Sequence, residues 1–524
     1  MIDMFRKSPT ANQLDLFSSP ETMLGKREAK TYTDEKGWHN QFFRNVTCNI
    51  DEEVFKVLFS EGKEKGKDGR PNAPIRILIA MSMLKEGAGC SDEQLYENCR
   101  FNLLWRLALG LANLDDELPS MGSYYNLRKG IVRYEEEHGV NLMERCFKGI
   151  TKKQAIAYKV SGKSVRTDSK LISSNIAWYS RYEIIHGTLL KSTDRTEVMH
   201  IAGQAVREAA LDFLGEDAAK TVYTTEAEAM GRKLLMLGLV IDAILTLYPK
   251  GKDLLKRVFE EQYEKDENGV VTLRDKKKVK ADSLQNPNDP DAGYRCKNGK
   301  KVKGYVTNIT ETTDQEDAPS LITDVQVDKV NTADNTFVKD AVRGTEEVTG
   351  NNVEKLHADG AYQSEDNRKL AAGKSDDLDH GFEFVANGIQ GKQARYRLNM
   401  NDDGTLTVTD MTTGEAIPAT LTRNGDKWKI KITYKNGAVS WRYFDAHSIE
   451  RSKARQEVEA ISAEERRKRN NVEASVFQYC FHTRNNKTRY RGRIKHLMQA
   501  VARCAWINMR RLMLFDLRNS VEMC

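Results

Sequence analysis

The sequence predicts a multidomain α+β/α/β protein of 524 residues. Three observations carry that expectation. Apolar residues recur at helical spacing through residues 1–160. Strand-like runs alternate with helix-like ones over 161–392. Hairpin signals crowd into 393–445, and the remainder, 446–524, returns to helical texture.

Within 1–160, Pro74 starts a stripe of Ile75, Leu78, Ile79, Met83 and Leu84. Ser91 and Gln94 then form a capping box before Leu95, Cys99, Leu103 and Leu107, which read as one apolar face ended by Gly110. Pro119 and Ser120 precede another helix, SYYNLRKGIVRYEEE. Short helices joined by tight turns suit either a helix-turn-helix DNA reader or a plain bundle, and amphipathicity alone favours the bundle.

The texture changes at GKSVRTDSKLI (162–172), a β-prone run, and becomes helical again over 186–260. Residues 261–300 are charged and loop-like. KGYVTNITET (303–312), SLITDVQVDKV (320–330), VEKLHAD (353–359) and GFEFVANG read as strands, with helices at DNTFVKDAVRGTEEV and SEDNRKLAAG. Turn signals at Asp403-Gly404, Thr413-Gly414, Asn424-Gly425 and Asn436-Gly437 mark a small all-β insertion. Beyond 462 the sequence reads as helical, ending in an apolar face of Leu497, Val501, Cys504 and Leu512 that suits a core helix.

A hydrophobic fraction of 39% supplies real cores, and no apolar run is long enough for a membrane span. The N-terminus lacks an apolar signal core, so a cytoplasmic location is expected. Eight scattered cysteines form no C-x-x-C pair and read as reduced, mostly buried thiols. Residues 451–524 hold 17 Lys and Arg against 7 Asp and Glu, so the last seventh of the chain carries the positive field. The densest part is Arg484, Lys487, Arg489, Arg491, Arg493 and Lys495, with Tyr490 interleaved. It reads as a track for phosphates, with a solvated surface as the plain alternative.

Three acids stand out by context. Asp168 sits inside a β-prone run, where propensity disfavours it. Asp359 ends a strand-like run, the edge at which α/β sheets bind ligands. Glu473 lies on a helix, one turn after Arg469. Acids on two strands and a packed helix can converge on divalent cations, which want oxygen ligands; such ions can activate water or a 3′-hydroxyl. The competing reading is turn formers and surface charges. His357, two residues before Asp359, reads as a packing or hydrogen-bonding side chain.

These residues fall in blocks that resemble the DDE transposases of bacterial insertion sequences, in the family's order. GRPNAPIRILIAMSMLKEGAGCSDEQLYENCRFNLLWRLALGL is similar to the family's N-terminal helical domain, and PSMGSYYNLRKGI to the segment that follows it. TDSKLISSNIAWYSRYEII, LHADGAYQSEDN and NNVEASVFQYCFHTRNNKTRYRGRIKH resemble the blocks around its three catalytic acids, here Asp168, Asp359 and Glu473. The resemblance implies an RNase H-like core, a five-stranded mixed sheet flanked by helices, with a β-rich insertion before the last catalytic helix. It implies that the three acids bind two Mg2+ ions, with Mn2+ able to substitute, for cleavage of element ends and strand transfer into target DNA. Arg469 would orient Glu473 or touch the scissile phosphate; a simple helix salt bridge is the other reading. The N-terminal helices would recognise double-stranded element ends. A homodimer or larger assembly, nucleoid-associated on DNA, would hold two ends together. The alternatives are a nuclease that cuts without joining and a DNA-binding derivative with catalysis lost. Some relatives carry Tyr-x2-Arg-x3-Glu-x6-Lys; Arg469 and Glu473 fit its middle, but Arg466 and Cys480 occupy the outer positions. The resemblance therefore leaves the route of strand cleavage, through a hairpin intermediate or another, open.

Overall fold

The computed structural model describes residues 5, 7, 19–60, 72–297, 299–386, 395–422, 425–434 and 437–522. It is a mixed helical and sheet protein in which N-terminal helices pack onto a curled mixed sheet.

The N-terminal helices begin and end where their residues dictate. Helix α1 (Ile75–Ala88) follows Pro74 and stops at Gly89, in the left-handed conformation a C-terminal glycine supplies. Helix α2 (Asp92–Phe101) opens with the Ser91–Gln94 capping box. The single apolar helix expected up to Gly110 is two: Asn102 breaks it, its side-chain Oδ1 accepting from the Leu104 and Trp105 amides to start α3 (Leu103–Leu109). A side chain that satisfies two orphan amides makes a helix start cheaper than a continuation. Helices α4 (Met121–His138) and α5 (Leu142–Ala157) are capped by Ser120 and Asn141.

The main sheet has six strands rather than five. Strand β1 (Ser164–Ser173) pairs antiparallel with the long β3 (Lys300–Thr312) and parallel with β5 (Lys355–Ala358). Strand β6 (Glu383–Ala386) continues the parallel side. The extra strand arises because β3 is long enough to hold two neighbours on one edge. Strand β2 (Gly293–Lys297) pairs with residues 300–304, and β4 (Ile322–Lys329) with 305–311. Gly304 sits where β1, β2 and β4 meet, with φ +156. A Cβ there would run into the Ile172 carbonyl oxygen and the Ser174 amide.

One face of the sheet is covered by α6 (Val338–Thr349), with Val165, Val342 and Leu356 in its core. The other face meets α7 (Val472–Cys480) and α8 (Arg493–Glu522). Leu497, Val501 and Cys504 of α8 join Ile79, Phe147, Ile309 and Val325 in one hydrophobic cluster, so the N-terminal helices and the sheet share a core. Gly87 of α1 lies so close to Trp506 of α8 that a Cβ would enter the indole ring.

The helical stretch between β1 and β2 has its own core, including Leu237, Ile241, Val258 and Tyr263. The region expected as loop over 261–300 holds β2 and a hairpin of Tyr263–Lys265 with Val271–Leu273, strands too short to show alternation. Residues 396–444 form two three-stranded sheets around Leu398, Val408, Ile430 and Phe444. Gly404, Gly414, Gly425 and Gly437 all take positive φ, as those turns require; Asn424 and Asn436 lie outside the described residues. The helical run after 462 is interrupted between α7 and α8, where Asn485 and Asn486 take left-handed backbone. Cys99, Cys146 and Cys504 are buried, whereas Cys48 and Cys296 are exposed, against the expectation of mostly buried thiols; Cys524 lies outside the described residues.

Candidate active site

Alternation along β1 places Ser164, Arg166, Asp168 and Lys170 on one face. Arg166 is in register with His357 of β5, which puts His357 and Asp359 on that same face. Asp359 follows the last residue of β5, and its carboxylate accepts from the Gly360 amide at 2.6 Å. Asp168 is turned toward its own chain, accepting from the Ser169 amide at 2.9 Å. The turn Lys468–Asn471 and helix α7 lie over this face, bringing Arg469 and Glu473 with them.

The four residues meet at one atom. Nη2 of Arg469 is 3.6 Å from an Asp168 oxygen, 3.7 Å from Glu473 and 3.9 Å from Asp359. Side-chain exposure rises from 17% at Asp168 through 45% at Asp359 to 63% at Glu473, so the group has a floor and a rim. Burial raises the Asp168 carboxyl above its ordinary value; Arg469 and the Ser169 amide oppose the shift, and the charges of Asp359 and Glu473 add to it. Nε of Arg469 is buried without a hydrogen-bond partner.

Beneath the acids lies a buried charged network that the sequence reading missed. Glu311 of β3 is fully buried; it accepts from Arg166 Nε at 2.5 Å, Arg511 Nη2 at 2.7 Å and the Ser475 hydroxyl of α7. Arg166 also reaches the Lys468 carbonyl at 3.3 Å. The network pins α7 and the turn bearing Arg469 to the sheet. Its only signal in the sequence is a pair of charged residues inside strand-like runs.

His357 is fully buried, with Nε2 3.6 Å from both Asp314 and Glu465. Burial lowers its pKa, against the pull of those two acids. The ligand atoms of Asp314, His357 and Glu465 lie within 4.8 Å of one another. Lys468 already bridges the two acids at 3.1 and 2.8 Å, and its hydrogen bond leads the effects that hold Glu465 down at about 2. An ammonium supplies the positive charge there.

The basic run divides. Arg489 donates to the Gly89 and Cys90 carbonyls at 2.6 and 2.5 Å, and Arg493 pairs with Glu135 at 2.6 Å. Tyr490 is an anchor, its hydroxyl bonded to Glu86 and to Lys85 Nζ, with Arg128 over its ring. These residues fasten the N-terminal helices to the sheet. Lys487 and Arg491 bond the Ile176 and Asn175 carbonyls while remaining exposed, and Arg484 and Lys495 are exposed.

The N-terminal helices carry the decisive comparison. Residues 32–129 match the family model described as "Transposase domain (DUF772)". The match supports a transposase, and with it DNA binding. It covers less than a fifth of the chain and contains α1 to α3, where the sequence resembles a transposase N-terminal domain. No curated protein and no solved structure matches the chain. Among the described residues no helix is long and apolar enough to cross a membrane.

Proposed function

We propose that the protein is a DDE transposase of a bacterial insertion sequence, cleaving DNA at the element's ends and joining them to target DNA. The observation that carries this reading is the gathering of Asp168, Asp359 and Glu473 around one cationic nitrogen, in a chain whose N-terminal segment matches a transposase domain. The strand order β4–β3–β1–β5–β6, with antiparallel pairing on one side of β1 and parallel on the other, supports an RNase H-like core.

The donor set suits hard divalent cations: three carboxylates, all oxygen, already drawn around a positive charge. Asp168, Asp359 and Glu473 would hold two Mg2+ ions, and Mn2+ suits the same donors. Bound there, the ions supply activation of the attacking hydroxyl and neutralisation of charge at the leaving oxygen. The chain's own residues do the rest. Asp168 and Asp359 are held by backbone amides, so the sheet fixes where the carboxylates point. Glu473 approaches from a helix clamped through Ser475. Arg469 holds the three acids together through its Nη2. The N-terminal helices would read the element ends, within a homodimer or larger assembly that holds two ends together.

The test is end cleavage and strand transfer on DNA carrying the sequences that flank the gene, with Mg2+ or Mn2+, comparing wild type with Asp359→Ala. Cleavage and joining by wild type alone are expected. Cleavage without joining leaves a nuclease. Binding without cleavage, with the variant indistinguishable, leaves a DNA-binding protein and overturns the reading.

A further inference from the structure

The tip of the β2–β3 hairpin places Lys297 directly across from Lys300, with Lys301 opposite Cys296. All three lysines are exposed. Like charges directly opposite each other weaken a strand pair, so this arrangement costs stability unless an outside anion offsets it. A second group lies alongside. Lys276–Lys278 form one exposed turn, followed by Lys280, and the next residue, Ala281, accepts from the Tyr294 amide of β2 at 3.4 Å. Nearby basic residues are neutralised: Lys265 pairs with Asp242 at 2.6 Å and Arg274 with Glu264 at 3.1 Å. Among the described residues, none of the seven lysines has such an ion pair. Asp275, the acid next to the turn, is engaged with the Lys277 amide at 2.8 Å.

The position of this patch follows from strand register. Asp168 is opposite Ile309 on β3. The nine residues from Ile309 back to Lys300 span about 30 Å at ~3.4 Å each. The same length of duplex is about nine base pairs at ~3.4 Å per step along a strand. Between the two ends, Lys170 follows Asp168 on the same face of β1, and the segment bearing Lys487 and Arg491 runs parallel beside the end of β1 through the Ser173–Lys487 bridge. Positive charge therefore continues from the acids to the hairpin tip, where Lys301 shares the Asp168 face and Lys297 and Lys300 flank it from the other.

We infer that the β2–β3 hairpin and the Lys276–Lys280 turn bind the phosphate backbone of a DNA duplex about nine base pairs from the point of cleavage. The inference rests on the transposase reading and assigns a DNA-holding role to a region between β1 and β3, outside the matched N-terminal segment. Contacts of this kind add affinity without sequence choice.

The test uses the full-length protein in EDTA and a duplex carrying the sequence that flanks the gene. Binding is measured against salt for wild type and for Lys297→Gln/Lys300→Gln/Lys301→Gln, with circular dichroism to establish that the variant is folded. Each lost phosphate contact lowers the log–log salt slope by about 0.9, so the triple variant should lose about 3 units of slope. Hydroxyl-radical protection about nine base pairs from the cleavage point should disappear with it. A folded variant with unchanged slope and footprint overturns the inference and leaves the transposase reading intact. A wild type that binds no duplex overturns both.

Discussion

Replacing Glu311 by Gln keeps the shape of the side chain and removes the charge that Arg166 and Arg511 share. Glu311 is fully buried, and the arginine side chains are only 9% and 18% exposed. Burial alone would raise the Glu311 carboxyl; Arg511 and then Arg166 outweigh it and hold the group below its ordinary value. Breaking a buried ion pair from one side costs about 3–5 kcal/mol, because the remaining charges stay buried and uncompensated. That is the expected loss for Glu311→Gln at pH 7, read as a lower urea midpoint of the full chain. The pH dependence has a definite sign. A carboxyl with a depressed folded pKa contributes stability that is present above its unfolded value and is lost as pH falls through the folded value. The gap between wild type and Glu311→Gln should hold above about pH 4.5, the ordinary Glu value, and close as the pH falls further. Arg166→Met/Glu311→Leu/Arg511→Met should recover most of the loss, since a well-packed apolar trio avoids the desolvation penalty. A loss under about 1 kcal/mol for Glu311→Gln, or a triple variant as weak as the single one, refutes the reasoning.

Other perturbations have equally definite outcomes. Burial pushes the Asp324 carboxyl up to about 7, with Lys148 opposing, so wild type should lose stability as pH rises through that value. The stability advantage of Asp324→Asn over wild type should therefore grow by about 2–3 kcal/mol between pH 5 and pH 8.5, as thermal unfolding at the two pH values will show. Gly304→Ala should lower the melting temperature and the soluble yield, because its methyl meets backbone on β1; a loss of about 3 kcal/mol or more is expected, and an unchanged melting temperature would contradict the observed register. Arg469→Ala removes the cation that a metal held by the three acids, as proposed, would have to displace. Mn2+ titration by thermal shift should give at least about tenfold tighter binding than wild type, a change of ~1.4 kcal/mol; unchanged affinity would show that the guanidinium does not compete.

The parts of the fold that were legible in the sequence are those where a local rule acts alone. The Ser91–Gln94 box, the Ser120 cap and the four turn glycines fall where their neighbours in sequence placed them. The strand harbouring Asp168 was readable as a β-prone run, although its burial does not alternate along the ten residues. The break at Asn102 was not, since Leu103 and Leu107 keep the apolar spacing on both sides of it. Strands of three residues in the 261–300 region carry no period to detect. The convergence of Asp168, Asp359, Glu473 and Arg469 came from recognising blocks, because residues 305 positions apart share no local signal. The Glu311 network was invisible for the same reason, and the docking role of Arg489, Tyr490 and Arg493 could not be told from a free basic surface until their partners on α1 and α4 were in place.

The close approach of Gly87 to Trp506 ties together positions more than four hundred residues apart. Arg503, one turn before Trp506, donates to the Gly87 carbonyl at 2.6 Å, so α8 grips α1 by both a ring and a charge. A side chain gained at 87 would need the room that a smaller residue at 506 gives. The segment matching the transposase domain is consequently not a cartridge that can be exchanged between relatives. A chimera that imports residues 32–129 keeps a sealed interior only if the imported helix leaves the space that Trp506 fills here, or if the last helix travels with it.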